Sequence, residues 1–321
     1  RTAEINGIPG QPGSDSLSFA VAETVEQTLH KKLAETSSFL QAINIVGTRD
    51  IAGKKVGLGV GSTIASTTDT TAKERETQDP SALDEDGYTN TKTDFDTHIT
   101  YDLMDHWSKF PNFQTLYQAN IVEAQARDIL MVGFNGTARA ATSDRKTNSL
   151  LQDVNIGWLQ KMRVNASGAR YLAQYQLGKG DNVANVDALV LSMISDFLDP
   201  WHRTSTGLVV LAGRSLVADK YTGLVSAHEK PTDVVALNTL LTNRSIGNVP
   251  TMQVPYFPDN ALAVGLLPTL SRYYQTGSRR RTIKDNPKRD RIEDYQSVND
   301  SYNVEDYGAW ALVENISQFG G

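Results

Sequence analysis

The longest helical pattern of apolar residues in the chain lies between Phe110 and Gly136. Pro111 suits the first turn of a helix, where its missing N–H would have no partner in any case. Gly133 follows the last apolar run and predicts the end of the helix, with Gly136 as a second stop. The predicted helix, 111–132, is about 30 Å long at ~1.5 Å per residue, and it is either an ordinary core helix or a spine that crosses an extended subunit. Its apolar positions, which recur at helical spacing, are Phe113, Leu116, Tyr117, Ile121, Ala124 and Ile129–Met131.

The residues ahead of this helix predict an arm, a long polar loop and a strand. Residues 1–16 are polar and contain Gly and Pro, as flexible arms do. Between Thr63 and Asn90 the chain has almost no large apolar side chain. A loop of that length is usually functional or disordered, and it favours a hairpin that packs on another subunit. The strand predicted over Thr91–Tyr101 places Phe95, Thr97, Ile99 and Tyr101 on one face.

The second half of the chain predicts alternating helices and strands. Asn185 opens a helix with a broad apolar face, and Pro200 ends it. The continuous apolar run Leu208–Ala212 is typical of a buried strand. This alternation predicts an α/β domain with a mixed sheet. The other predicted elements are helices at Leu150–Met162, Arg214–Val225 and Thr232–Leu241, and strands at Val249–Val254, at Ala261–Leu267 and through the tail Ser271–Ile316.

Composition narrows the classes of function. The chain has 321 residues, a formal net charge of −6 and a pI of about 5.4. This charge argues against general neutralisation of nucleic-acid phosphates, although a local basic face is compatible with it. The absence of cysteine excludes disulfides, thiolate metal sites and cysteine nucleophiles. No apolar run approaches the ~20 residues that span a bilayer.

The sequence contains no complete catalytic or cofactor-binding motif, because the candidate residues do not have the spacing that these motifs require. Lys54 and Lys55 follow Gly53, but the phosphate-loop glycine and hydroxyl do not stand where the motif needs them. No histidine pair has metal-ligand spacing and no GxSxG elbow occurs. His98 is predicted to share a strand face with Asp94 and Asp96, which is either a solvated face or a weak cation site, and the solvated face is favoured. The sequence therefore predicts no enzyme, no metal and no cofactor.

Four long segments resemble one protein family, in order along the chain. They are INIVGTRDIAGKKVGLGVGSTIASTTDT (Ile43–Thr70), GFNGTARAATSDRKTNSLLQDVNIGWLQKMR (Gly133–Arg163), GNVPTMQVPYFP (Gly247–Pro258) and NPKRDRIEDYQSVNDSYNVEDYGAWALVE (Asn286–Glu314). The family is that of the major capsid proteins of Peduovirus-type (P-two-like) tailed bacteriophages. Long collinear matches of this kind are more specific than a short catalytic motif.

The resemblance implies an α+β subunit with the Hong Kong 97-type phage capsid fold. Its expected parts are an N-terminal arm (1–49), an extended hairpin loop or E-loop (50–102), a peripheral domain (103–180, with the spine helix at 111–132, and 263–321) and an axial α/β domain (181–262). In this arrangement the peripheral domain is discontinuous in sequence. The axial loop candidate is Ser226–Asp233, which contains His228, Glu229 and Lys230.

The function implied by the resemblance is self-assembly, through pentamers and hexamers, into the icosahedral head shell that encloses double-stranded DNA. The implied partners are further copies of the chain, a scaffolding protein or protease, a portal and a decoration protein. DNA is enclosed without sequence-specific binding, and no membrane is involved. The implied location is the virion, with assembly in the cytoplasm of the bacterial host. The alternatives are another virion component, such as a tail or decoration protein, and a cytosolic α/β enzyme with a long lid.

One dense basic cluster contains Arg279–Arg281, Lys284, Lys288, Arg289 and Arg291. It faces packaged DNA, faces solvent, or pairs with acids of a neighbouring subunit. Because side chains alternate along a strand, Arg279 and Arg281 should share a face opposite Arg280. We predict an inter-subunit salt bridge from Arg279, Arg281, Arg289 or Arg291, with Asp84, Glu85 and Asp86 of the loop as candidate partners.

Overall fold

A computed structural model describes residues 16–54, 59–60, 65–75, 77, 81–82, 87–107, 110, 112–165, 170–178, 183–218 and 245–318. Its α-helices are α1 (Glu23–Glu35), α2 (Ser38–Ala42), α3 (Tyr101–Trp107), α4 (Phe113–Asn135), α5 (Trp158–Asn165) and α6 (Val186–Ser192). A π-helical turn, Met193–Phe197, continues α6.

Two large sheets organise the described residues. Strands of the first half are β1 (Ser16–Ala20), β2 (Asn44–Thr48), β3 (Ala52–Lys54), β4 (Gly59–Val60), β5 (Ser81–Ala82), β6 (Gly87–Thr89), β7 (Thr91–Asp94), β8 (Thr97–Thr100), β9 (Tyr171–Leu172) and β10 (Tyr175–Leu177). Those of the second half are β11 (Leu208–Ala212), β12 (Ser245–Ile246), β13 (Val249–Met252), β14 (Leu262–Leu266), β15 (Leu270–Gln275), β16 (Arg280–Asn286), β17 (Arg291–Val304), β18 (Trp310–Val313) and β19 (Ile316–Gln318). The first sheet has the order β1-β16-β17-β15-β2, with β7 and β8 also paired to β17. The second sheet has the order β12-β13-β11-β14-β18-β9.

The second sheet is covered on both faces. Alternate residues of its central strands join two hydrophobic clusters: Leu211 belongs to the cluster around α4 and α5, whereas Val210 and Ala212 belong to the cluster around α6. Burial on both sides explains why β11 is a continuous apolar run rather than an alternating one. The strand predicted at Leu208–Ala212 is confirmed.

Trp158 is the centre of the larger cluster. Its side chain is fully buried and its ring meets those of Phe39, Phe134 and Tyr302 at centroid distances of 5.7, 5.5 and 5.1 Å. The indole Nε1 donates to the carbonyl of Ser271 at 2.9 Å, so the buried N–H is satisfied. Tyr302 and Ser271 lie on the first sheet, and Phe39 lies on α2. The indole therefore joins three parts of the chain that are far apart in sequence.

The long helix is confirmed, but the role predicted for Gly133 is wrong. Helix α4 runs through Gly133 to Asn135, and Gly136 is its C-cap. A Cβ added at Gly133 would lie 2.1 Å from the ring of Trp158. The glycine is needed for this close approach of helix and indole, not to stop the helix.

Two other predictions about local structure need correction. The strand predicted at Thr91–Tyr101 is broken between β7 and β8, and Tyr101 begins α3 instead. The helix predicted over Leu150–Met162 begins only at Trp158, although that residue is buried as expected. Of the helices predicted at 214–225 and 232–241, only a helical turn at 214–218 falls within the described residues. The helix opened by Asn185 is confirmed, and the Asn185 Oδ1 accepts from the Ala188 N–H at 2.8 Å.

Helix α4 does not bury its apolar stripe along its whole length. Ile129 is 2% exposed, as the pattern predicts. Ala124 is exposed, and the adjacent Gln125 and Ala126 are buried in its place. Leu116, near the N-terminal end, is 57% exposed. The first third of the helix therefore extends beyond the core of its own subunit.

Candidate functional site

The C-terminal end of the long polar loop, from Tyr88 to Asn90, contacts the first sheet, and we call this end the foot of the loop. Asn90 is buried; its side-chain N–H donates to Thr48 Oγ1 at 2.8 Å, and its Oδ1 accepts from Ser301 Oγ at 2.8 Å. The ring of Tyr88 meets that of Tyr273 edge-on at 4.8 Å. Among the described residues of this part of the chain, β3 pairs with β6 and β4 pairs with β5, each as a two-stranded antiparallel ribbon. The candidate contact residues Asp84, Glu85 and Asp86 lie outside the described residues.

Two arginines of the basic cluster have partners within their own subunit, and one of them, Arg279, is buried. The Arg279 guanidinium is 3% exposed and donates to Gln125 Oε1 at 3.1 Å and Gln296 Oε1 at 2.9 Å. Burial, with a contribution from Arg272, lowers the pKa of Arg279 to about 10. Arg281 donates to the carboxylate of Asp294 at 2.7 and 3.0 Å.

The shared face of Arg279 and Arg281 is confirmed by these partners, because Gln296 also donates to Asp294 at 3.0 Å. A buried guanidinium with two amide acceptors is not presented to a neighbouring subunit. The prediction of an inter-subunit salt bridge from Arg279 is therefore wrong, and this side chain instead forms hydrogen bonds inside its own subunit.

The remaining cations of this segment are closer to solvent. Arg280 and Arg289 are exposed. Arg291 donates to Glu293 Oε1 at 2.7 Å, and the Tyr295 hydroxyl together with Arg291 lowers the pKa of Glu293 to about 2. An inter-subunit contact from Arg281, Arg289 or Arg291 stays a prediction.

A polar cleft of about 280 Å³ opens beside the foot of the loop. Lys92 and Arg280 supply two cations to its lining, and Ser278, Ser297 and Asn299 supply hydroxyl and amide groups. The Nζ atom of Lys92 also lies 2.9 Å from Oδ1 of Asp94. The cleft can hold a carboxylate more readily than an apolar group, since the described lining has cations and hydrogen-bond donors.

A buried ionic network links α1 to the first sheet. Arg272 is 1% exposed and Asp300 is fully buried; they form two hydrogen bonds, of 2.7 and 3.1 Å. Arg272 also donates to His30 Nδ1 at 3.4 Å, and the His30 ring stacks on Tyr274 at 3.8 Å. Glu26 accepts from the Gly277 N–H at 2.9 Å.

The network sets the protonation states of two residues of α1. Burial first, and then the nearby arginines, hold the pKa of His30 well below its ordinary value. Burial raises the pKa of Glu26. Sequence reasoning missed this network, because nothing in the local pattern around Arg272 or His30 distinguishes a buried charge from a solvated one.

The described residues give little support for a metal site or for a segment that spans a membrane. Within them no group of three His, Asp or Glu side chains is arranged to hold a metal ion. No helix in the described part of the chain is both long enough and apolar enough to cross a membrane. The axial loop candidates His228, Glu229 and Lys230 lie outside the described residues.

Comparison with known proteins gives consistent relatives over nearly the whole chain. The model of the family "Phage major capsid protein, P2 family" matches residues 1–316. The capsid protein of Escherichia phage P2 is 41% identical over 98% of this chain and 91% of its own length. The major capsid protein of Serratia phage KSP20 is 34% identical over 99% of this chain and 94% of its own length.

A solved structure gives the same result for the fold. A chain of the satellite phage P4 procapsid that includes the size determination (Sid) protein superposes with a TM-score of 0.84 at 40% identity, covering 94% of both chains.

Proposed function

The chain belongs to the P2 family of phage major capsid proteins, and from that membership we propose how its parts build a shell. The protein is a structural component of the virion that self-associates into the capsid shell, and it is not an enzyme. The expected α+β capsid fold is confirmed by the likeness to the procapsid chain. The observation that carries the function is this match across nearly the whole length, in sequence and in structure.

The finer architecture of the shell is part of the proposal. One sequence forms pentamers and hexamers through near-identical interfaces, as closed symmetric assemblies require, and these build an icosahedral head. The head encloses double-stranded DNA without sequence-specific contacts, in keeping with the net charge of −6. Assembly takes place in the host cytoplasm, with a scaffolding protein or protease, a portal and a decoration protein as partners.

The loop is proposed as the element that crosses to an adjacent subunit. Its ribbons β3-β6 and β4-β5 belong to neither large sheet, and a two-stranded ribbon alone is marginally stable in water. The buried foot at Asn90 fixes the direction in which the ribbons leave their subunit. Packing on a second copy would add contacts that a two-stranded ribbon does not have by itself.

The cleft that contains Arg280 and Lys92 is proposed as the acceptor of a carboxylate from a neighbouring subunit. Strand alternation turns Arg280 away from the face shared by Arg279 and Arg281, and the side chain is exposed. Candidate partners remain Asp84, Glu85 and Asp86 of another copy. This proposal moves the predicted ion pair from the buried arginine to its exposed neighbour.

Electron microscopy of the expressed full-length chain tests the proposal. We expect closed shells of uniform diameter in the assembled fraction. Tubes would favour a tail protein. A chain that stays monomeric at every concentration, with and without a scaffolding protein, would contradict self-association as the function.

A further inference from the structure

An exposed aromatic surface lies where α3 leads into α4. Trp107 is 44% exposed and Phe110 is 55% exposed. Their ring centroids are 5.4 Å apart, and Trp107 also stacks on Phe113 at 6.1 Å. Phe113 in turn meets Tyr117 at 5.9 Å. We define the aromatic surface as these four residues together with two exposed leucines, Leu103 and Leu116, which are 41% and 57% exposed.

The aromatic surface differs from ordinary exposed apolar residues. Single hydrophobic side chains on a surface are common and need no explanation. Here the rings touch one another, so the apolar area is contiguous, and contiguous patches mark sites of interaction. Aromatic side chains are also the residues that most often carry the binding energy of protein interfaces. The side chains therefore point to a partner that covers them.

The tip of the β16–β17 hairpin lies at the same end of the subunit. The hydroxyl of Tyr101, the first residue of α3, donates to Asp285, and its backbone N–H donates to the Asp290 carbonyl at 2.9 Å. The hairpin tip exposes three bases, Lys284, Lys288 and Arg289, and two acids, Asp285 and Asp290, so its net charge is positive.

Helix α3 carries charge of the opposite sign. Asp102 and Asp105 are exposed on it. One end of the subunit thus presents an apolar centre with acids on α3 and bases on the hairpin. An apolar centre within a charged rim is the usual anatomy of a protein interface.

We propose that the aromatic surface is a contact between copies of this chain, in which the acids of α3 in one copy face the basic hairpin tip of another. This inference rests on the proposed function, and it adds the surface that self-association uses. Both halves of the complementary charge pattern belong to the same chain, and a repeated contact around a symmetry axis requires that arrangement.

The first test is the double substitution Trp107→Ser and Phe110→Ser in the full chain. Both side chains are about half exposed, so the melting temperature of the unassembled variant should match that of the wild type. Shell yield should fall at least tenfold. Trp201→Ser is the matched control, because Trp201 is 86% exposed and lies outside the aromatic surface. It should assemble normally.

Charge reversal gives the second test. Lys288→Glu with Arg289→Glu should reduce assembly, and adding Asp102→Lys with Asp105→Lys should restore it. Restored assembly, with the same melting temperature for the unassembled twofold and fourfold variants, would show that these charges meet across a contact between copies and not within one subunit. If the fourfold variant assembles no better than the twofold one, the assigned charge pairing is wrong.

A photo-crosslinking residue in place of Phe110 identifies the occupant directly. Dimers of this chain in assembled shells support the inference. Crosslinks to a scaffolding or decoration protein alone would overturn it. Shells that form from the Trp107→Ser and Phe110→Ser variant at wild-type yield would also overturn it while leaving the capsid function intact, whereas a wild-type chain that forms no shells refutes the function itself.

Discussion

At the scale of single residues, breaking the buried ion pair between Arg272 and Asp300 should lower the free energy of unfolding more than breaking an exposed pair. Asp300 is fully buried and also accepts from Thr93 Oγ1 at 2.7 Å. Asp300→Ala leaves the Arg272 guanidinium buried without its counter-charge, and breaking such pairs costs about 3–5 kcal/mol. Urea denaturation of the unassembled chain measures this loss.

The exposed pair Lys92–Asp94 is the matched control for that prediction. Its side chains are 59% and 50% exposed, and surface ion pairs contribute about 0–1 kcal/mol. Asp94→Ala should therefore change the free energy of unfolding little. Equal losses for the two variants would show that the Arg272–Asp300 pair has no special role in stability.

His30 should make the stability of the chain depend on pH. Arg272 donates to His30 Nδ1, so the folded ring is neutral, and its pKa lies well below the value of 6.5 in the unfolded chain. The unfolded state therefore binds the proton first, and stability is lost as pH falls below 6.5 toward the lowered pKa.

Glu26 acts with the opposite sign. Burial raises its pKa above 4.5, so its ionisation weakens the folded state as pH rises through that range. The other ionisable groups that act on these two residues are Glu23, Arg272, Arg279 and Tyr274.

Replacing His30 isolates its contribution. His30→Gln should give a flatter curve of unfolding free energy than the wild type as the pH falls below about 6.5. Chemical denaturation at several pH values measures both curves. Parallel curves would mean that His30 does not titrate differently on folding.

At the scale of elements, helix α4 has two ends with different environments. Ile129→Asp places an unpaired charge in the core at a cost of several kcal/mol, and we expect it to prevent folding. Leu116→Asp on the same helix is exposed and should leave a folded chain with normal circular dichroism. A folded, soluble Ile129→Asp monomer would contradict the buried environment of Ile129.

The loop is the second element whose role can be separated from folding. Replacing 63–86 with a short Gly-Ser turn keeps the buried foot at Asn90. Because the ribbons belong to neither large sheet, we expect a folded monomer with an unchanged melting temperature that does not form shells. Sedimentation separates monomers from shells, and shells of normal size and yield would contradict the proposed crossing to a neighbour.

At the scale of the whole molecule, the cleft with Arg280 and Lys92 links surface charge to assembly. Arg280→Glu with Lys92→Glu should impair assembly while changing stability by less than about 0.5 kcal/mol. One exposed ion pair contributes only ~0–1 kcal/mol. Because a shell repeats the same contact in every subunit, even this small free energy influences assembly. The control is the double substitution Lys31→Glu and Lys32→Glu, which changes the net charge by the same amount at two other exposed lysines. Normal assembly with altered DNA retention would mean that the cleft faces the genome.

The sequence by itself determined several of the elements and the family. The spacing of apolar residues predicted α4, the helix opened by Asn185 and the buried strand at Leu208–Ala212, because periodicity is local information. The collinear segments identified the capsid family, since they extend over nearly the whole chain.

Tertiary structure alone decided which groups are covered and by what. Leu116 and Ile129 belong to one apolar stripe, yet one is exposed and the other buried, because the core ends partway along α4. Gly133 has the signature of a helix stop, but an indole from 25 residues later requires it. Arg279 and Arg280 are adjacent in sequence, and only the contacts of Arg279 with Gln125 of α4 and Gln296 of β17 show that it lies inside the subunit. Burial depends on contacts between residues far apart in the chain, and a local pattern does not contain them.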